Sequence, residues 1–354
     1  MRRIHIMDTH AFWPLGRSNQ VSLWRLLSLL VPVALISTAC ARQPTAESQV
    51  EPAPSPTSQV VEQAPAPPEA PADESITLVD GVGRQVTLPG PAKRIVSLAP
   101  SNTEILFALG AGAQLVGRDD ISDYPPEAQA VTSIGSTYGQ LNSEAILALE
   151  PDLVLAADIT APEQVQTLES LGVPLFLLPN PADFEGLFDN LETVGRLTGH
   201  LDQAEALVEE LSARVEAVTD KVASADPVRV FYEVDGTDPT APWTTGAGTF
   251  QDVLIDMAGG ENIASDLQGW GQMNLETIVA RDPQVIIFGA GPWVPTTAES
   301  LAARTGWDII SAVQTGRVHG IDTNQVDRPG PRLVDALEQI AIFLHPELFG
   351  EEIS

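Results

Sequence analysis

Gly139-Gln140-Leu141-Asn142-Ser143-Glu144-Ala145-Ile146 recurs as Gly271-Gln272-Met273-Asn274-Leu275-Glu276-Thr277-Ile278. The two stretches keep matching downstream, Ala148 with Ala280 and Pro151 with Pro283, and each then enters an apolar strand, 153–155 or 285–287. A tract that returns with its strand intact marks two copies of one α/β unit, so the chain is expected to fold as two lobes. An aromatic residue opens each copy, Tyr138 and Trp270.

Asn142 and Asn274 each precede a helical pattern and suit the N-cap, which puts Glu144 and Glu276 in a first turn, where the helix dipole favours a carboxylate. That preference, about 0.3–1 kcal/mol, explains either acid taken singly. Two copies, one per lobe, form a pseudo-symmetric pair of exposed acids, as a partner with matched basic pockets would require. A lone Tyr or Trp in a Gly-rich loop is ordinarily a core plug. Facing lobes, however, would bring Tyr138 and Trp270 to opposite walls of one cleft, where flat rings suit a planar, largely apolar ligand.

Outward from the repeat, strands and helices alternate. A small hairpin is expected from 76–79 and 85–88 around Asp80-Gly81-Val82-Gly83, then strands at 94–98, 115–117, 153–156 and 174–178, each an apolar run bounded by polar or helical sequence. This is the pattern of a parallel-sheet lobe, 76–200. Ala204, Leu207, Val208, Leu211, Val215, Val218 and Val222 then follow at spacings of three and four with no Gly or Pro over 201–226, one apolar stripe along a long helix. A second alternating set fills 227–354: 228–234, a helix at 250–257, 285–288, 317–321 and a last helix from Pro331.

The first 40 residues read as an export signal rather than as fold. Arg2, Arg3, Arg17 and Arg25 precede the apolar run 26–36 and the small residues Ser37, Thr38 and Ala39. The run is shorter than the roughly 20 residues that span a bilayer core. Cys40, the single cysteine, stands where a bacterial lipoprotein is cleaved and acylated, although Ser37 occupies a position usually held by a Leu-like residue; the other reading is a chance cysteine in a discarded segment. Residues 41–75 are Pro-, Ala-, Glu-, Ser- and Thr-rich and cannot bury enough surface to order themselves. They are expected to act as a tether of roughly 30 Å as a coil and roughly 100 Å extended, holding an extracytoplasmic domain at the outer face of a membrane.

Eighteen basic against 48 acidic residues leave a net charge of −30, which disfavours nucleic acid as a partner. One cysteine allows neither a disulfide nor a thiolate metal cage within one chain. Beyond His5 and His10, only His200, His319 and His345 remain, in no ligand-spaced motif, so no metal or cofactor is expected. There is no Gly-Xaa-Ser-Xaa-Gly elbow and no Walker loop. Glu144 and Glu276 working as acid and base, as in glycoside hydrolysis, would have to lie roughly 5–10 Å apart, whereas the repeat assigns one to each lobe. An adhesive lipoprotein would suit the stalk but leaves the repeated aromatics and acids unexplained. Neither lobe shows a surplus apolar face, so a monomer is expected.

Arg94-Ile95-Val96-Ser97-Leu98-Ala99-Pro100-Ser101-Asn102-Thr103-Glu104, then Ser122-Asp123-Tyr124-Pro125, the two Asn-Xaa-Glu helix starts and Arg328-Pro329-Gly330-Pro331-Arg332 together resemble the periplasmic binding proteins for cobalamin and iron chelates. The resemblance runs from about residue 76 to the C-terminus. It implies the class III architecture: an α/β protein of two parallel-sheet lobes joined by a single long rigid helix, with a shallow cleft and little closure. It also implies that Glu144 and Glu276 dock on Arg residues of an ABC permease dimer, which its ATPase subunits drive.

Within the family the likeness is nearest to the vitamin B12 binders, whose ligand is gripped by aromatics at the positions of Tyr138 and Trp270 and by an arginine at that of Arg328. A ligand-contacting Tyr is replaced here by Ile121, and an Asp that accepts hydrogen bonds from corrin amides by Asn324. Ser101 and Asn324 complete the implied ligand set. Trp243, in Pro242-Trp243-Thr244-Thr245-Gly246, and Trp293, in Gly291-Pro292-Trp293, are further candidates for the cleft wall that packing explains equally well. A ferric siderophore or haem is the alternative ligand, since Arg328 would pair with its negative charge. Arg328 also fits an ordinary surface cation ahead of the last helix, with its apolar set Leu333, Val334, Leu337, Ile340 and Leu344.

Overall fold

A computed structural model describes residues 75–139, 141–291 and 294–350. The expected export signal with Cys40, all but the last residue of the tether, Gln140 and Trp293 lie outside them. Order begins with an antiparallel hairpin, β1 (Ile76–Val79) and β2 (Gln85–Leu88). Its turn is held by the buried Asp80 carboxylate, which accepts from the backbone N–H of Val82 (3.1 Å) and Arg84 (2.9 Å).

The first lobe contains β3 (Ile95–Ser97), β4 (Leu115–Arg118), β5 (Leu153–Ala157) and β6 (Leu175–Leu178), all parallel, in the order β4-β3-β5-β6. β3 and β6 are buried throughout, and β5 in all but its last residue, which is why these segments read as unbroken apolar runs rather than alternating ones. Helices α1 (Pro100–Ala108), α2 (Ser143–Ala148), α3 (Pro162–Ser170) and α4 (Phe184–Thr198) flank the sheet. Gly199, at φ 78°, ends α4 in the left-handed conformation that glycine adopts freely, and the chain turns directly into α5 (Leu201–Val222). The expected stripe on α5 divides: Ala204, Leu211, Val215, Val218 and Val222 are buried, while Leu207 and Val208 are partly buried against the same core.

The second lobe contains β7 (Val228–Asp235), β8 (Trp243–Thr245), β9 (Gly260–Asn262), β10 (Trp270–Gln272), β11 (Val285–Ala290) and β12 (Val318–Asp322), with helices α6 (Phe250–Met257) and α7 (Leu275–Arg281) and the terminal helix Leu333–Leu344. Its order is β10-β8-β7-β11-β12, with β9 also on β7. β7, β9, β11 and β12 pair in parallel, whereas β8 and β10 extend the sheet antiparallel. On the edge of β7 opposite β11, Val228–Val230 pair with β9, and Glu233 and Asp235 beyond them pair with β8.

One continuous apolar core runs from Leu106, Leu153 and Phe176 through Leu211 and Val215 of α5 to Val230, Leu254, Ile287 and Leu337, so both lobes and the connecting helix share it. Phe184 of α4 meets Phe250 of α6 edge-on at 5.5 Å within that junction. Arg214 of α5 is fixed to the terminal helix by Glu338 (2.9 and 2.7 Å) and Asp335 (2.6 Å). Each sheet has a separate cluster on its other face, around Val154 and Leu168 in one lobe and Ile286 and Trp307 in the other.

The repeat is structural in detail. Asn142 and Asn274 accept from the backbone N–H of Ala145 (3.1 Å) and Thr277 (2.8 Å), capping α2 and α7. An acid in the left-handed region follows each helix, Asp282 (φ 43°) as the C-cap of α7 and Glu150 (φ 45°) one residue past the C-cap Leu149 of α2, and Pro283 and Pro151 come next and disfavour continued helix. In both lobes an arginine at the start of the first strand pins that end. Arg94 Nε donates to the carbonyls of Leu149 (3.2 Å) and Glu150 (3.0 Å), and Arg229 Nε to those of Arg281 (3.1 Å) and Asp282 (3.1 Å).

Two kinds of arginine therefore hold the second lobe. Arg304 pairs with Glu233 at side-chain exposures of 11% and 1%, while Arg229 works at a wetter surface. Arg304→Ala strands a buried carboxylate and is expected to cost about 3–5 kcal/mol, against about 1 kcal/mol for Arg229→Ala. Urea unfolding followed by circular dichroism ranks the two; equal losses would contradict the assignment.

Candidate functional site

Between the lobes lies a cavity of about 850 Å³, walled on one side by the ends of β3, β5 and β6 and on the other by α6, β10 and the segment 323–333. Its lining includes Ser101, Tyr138, Trp270, Asn324 and Arg328. Trp243 is absent from that lining: it stands on β8 opposite Gln272, one strand repeat along from the Thr245–Trp270 pair, so it is displaced from the cleft by the register of the antiparallel extension.

The two aromatics reach the cleft by different means. Tyr138 sits on a loop steadied by Gln164, whose Nε2 donates to the carbonyls of Thr137 (3.1 Å) and Gly139 (2.7 Å). Trp270 sits on the edge strand β10, not on a loop. They are 68% and 56% exposed, respectively, a large apolar area left uncovered. Ile121, Ile159 and Val234 are also exposed and line the same cavity.

Ser101 lies in the first turn of α1, buried at the base of the wall. Asn324 is half-buried, and its backbone carbonyl accepts from Arg332 Nη2 at 3.1 Å. Arg328 crosses between the lobes and donates to Asp123 Oδ1 at 2.6 Å. Beside it, Arg332 donates to Glu104 Oε2 from Nε (2.9 Å) and Nη2 (2.7 Å), its backbone N–H donates to Oε1 (3.1 Å), and its guanidinium lies 3.7 Å from the Tyr124 ring centre. Glu104, Asp123 and Arg332 stand within the motifs that carry the family resemblance, and the sequence alone gives none of them a role. Each is a charged residue inside a motif, but its partner lies in the opposite lobe.

Two carboxyls near Arg328 sit above the usual carboxylate range. Desolvation pushes Asp119 up, against the hydrogen bonds of Ser122 and the pull of Arg328. Desolvation likewise raises Asp327, which is open to the cleft but surrounded by its walls, against the Gln251 hydrogen bond (2.9 Å) and Arg328. The Gln251 carbonyl oxygen is buried beside it with no protein partner.

Glu144 and Glu276 are exposed in the first turns of α2 and α7, one per lobe, and neither lines the cavity. The arrangement separates an apolar, aromatic-walled cleft from two acids presented on rigidly capped helices. A pair of glutamates outside the cleft cannot act as acid and base upon a molecule held in it.

The periplasmic binding protein family matches residues 95–324. The ABC transporter substrate-binding lipoprotein YvrC of Bacillus subtilis (strain 168) is 32% identical over 282 residues, 78% of this chain and 87% of the relative. A cobalamin-binding protein of Halobacterium salinarum (strain ATCC 29341 / DSM 671 / R1) is 32% identical over 299 residues, covering 80% and 79%. Among solved structures, the periplasmic heme-binding protein RhuT from Roseiflexus sp. RS-1 in apo form superposes with a TM-score of 0.65 at 29% identity, over 73% of this chain and 99% of that one. With the two-lobed α/β fold and the interlobe cleft, these matches establish that the chain belongs to the periplasmic binding protein family.

Proposed function

We propose that the chain is the substrate-binding subunit of an ABC importer, capturing cobalamin or a related corrinoid in the interlobe cleft. The observation that carries this reading is the cleft itself: about 850 Å³, with Tyr138 and Trp270 uncovered on its two walls. A binding rather than a catalytic role is supported by the family and by the position of both glutamates outside the cleft. The cobalamin-binding relative favours a corrinoid, with Tyr138, Trp270, Ser101 and Asn324 as contacts; Arg328 lines the same wall but is engaged by Asp123. The heme-binding neighbour supports the second reading, haem or a ferric siderophore in the same cleft.

Glu144 and Glu276 are the docking acids, one for each half of a permease dimer that works with its ATPase subunits. The caps at both ends of α2 and α7 support this, because a docking charge is useful only if its direction is fixed. Cys40 carries the lipid that anchors a monomer to the outer face of the membrane; the relative's description as a lipoprotein supports that part.

Calorimetric titration of the purified protein with cyanocobalamin is expected to give tight one-to-one binding. A heat signal with haem or a ferric siderophore and none with cyanocobalamin would move the assignment to the second reading. The double variant Glu144→Ala with Glu276→Ala is expected to abolish uptake into cells while leaving ligand affinity within about twofold, since neither side chain is in the cleft. An equal fall in affinity would reassign the acids to the ligand site.

A further inference from the structure

The charged groups of the cleft are unbalanced, and the imbalance bears on which ligands enter. Among the described residues lining the cavity, Arg328 is the one cation, set against two carboxylates, Asp158 and Asp327. That cation is already engaged. Its Nη1 donates to Asp123 at 2.6 Å across the lobes, and its side chain is only 15% exposed. Asp119, fully buried nearby with one carboxylate oxygen lacking a partner, feels the same guanidinium. Arg332 offers no substitute, because Glu104 takes its guanidinium and its backbone N–H.

We infer that Asp123 and Asp327 make the cleft a charge filter: Asp123 withholds Arg328 from the ligand and Asp327 faces it, so the site takes neutral or cationic molecules and turns away anionic chelates. Specificity is a difference of affinities, and an uncompensated like charge on the wall raises it by weakening the wrong ligand rather than by tightening the right one. Low surrounding polarity strengthens the effect, since charges between protein walls are screened less than at an open surface. Gln251 holds Asp327 from behind through its amide at 2.9 Å, which keeps that carboxylate oriented on the cleft wall. Asp327 then offers acceptor oxygens suited to amide N–H donors on a neutral ligand, a chemistry that a propionate or catecholate does not supply.

The inference rests on the cleft being the ligand site but not on cobalamin being the ligand. It is tested with the full-length chain and three probes: cyanocobalamin, which carries no net charge, a cationic ferric hydroxamate, and a trianionic ferric tris-catecholate. Wild-type protein is expected to bind the trianion most weakly. Asp123→Asn, at a half-exposed side chain, should improve the trianion relative to the better of the other two probes by about tenfold. Asp327→Asn should move the ratio in the same direction. A ratio unchanged in both variants overturns the filter, as does an equal loss for all three probes, which is what mere loosening of the lobes would produce. Preference of the wild type for the trianion overturns the filter and leaves the cleft assignment standing. Preference for the cationic hydroxamate with no cobalamin binding does the reverse, removing the corrinoid and keeping the filter. Binding of none of the probes removes both.

Discussion

The interaction on which the rest of this structure depends is the buried link between Glu104 and Arg332. Their side chains are 3% and 12% exposed, and three hydrogen bonds join residues that belong to different lobes. Such a pair adds little net stability over a well-packed apolar contact, because desolvating two charges offsets most of their attraction. What it supplies is position. Charge-assisted bonds with fixed directions allow one interlobe register, and Gly330 shows how close the fit is: a Cβ there would sit 3.0 Å from Glu104 Oε1. The shared core, the Arg214 bonds between α5 and the terminal helix, and the Phe184–Phe250 contact fix the same register from behind. A cleft whose width is preset in this way loses little freedom on binding.

Much of this was legible in the sequence, and the reason is local. An N-cap, a first-turn acid, a helix-ending proline and an apolar strand all lie within about 15 residues of one another in each copy of the repeat, so their physics is written in consecutive letters. The pins at Arg94 and Arg229 were not legible, although they obey the same repeat. Each arginine lies more than 50 residues from the carbonyls it bonds, and nothing around it distinguishes a helix pin from a solvated cation. The separation for Arg328 and Asp123 is 205 residues, and for Arg332 and Glu104 it is 228. Pairings across lobes are a property of the assembled fold.

The antiparallel extension failed to announce itself for a different reason. β8 and β10 have three residues each, too short for a period-two pattern to rise above chance. The sequence therefore places neither Trp243 nor Trp270 on a strand, and the register that sends Trp270 to the cleft and keeps Trp243 out of it depends on the Thr245–Trp270 pairing. Equivalent positions in the two lobes thus carry equivalent aromatics on unlike supports, a loop for Tyr138 and a strand for Trp270. The capped helices match closely between the lobes, while the cleft walls differ.

The magnitudes explain why the walls need more than two rings. Covering one face of Tyr138 or Trp270 is worth roughly 2 kcal/mol at 25 cal/mol per Å² of apolar area. A micromolar complex needs about 8 kcal/mol net, on top of an association cost of at least about 4 kcal/mol. Two rings leave most of that unmet. Ile121, Ile159 and Val234 add apolar area at the same cavity, and on the reading proposed above the remainder comes from directional contacts with Ser101, Asn324 and Asp327. On that reading the polar residues select among ligands, while the rings supply affinity common to any large, flat one. In a chain with a net charge of −30, the sign of those polar residues matters more than their number, because the long-range field already disfavours anions before any contact is made.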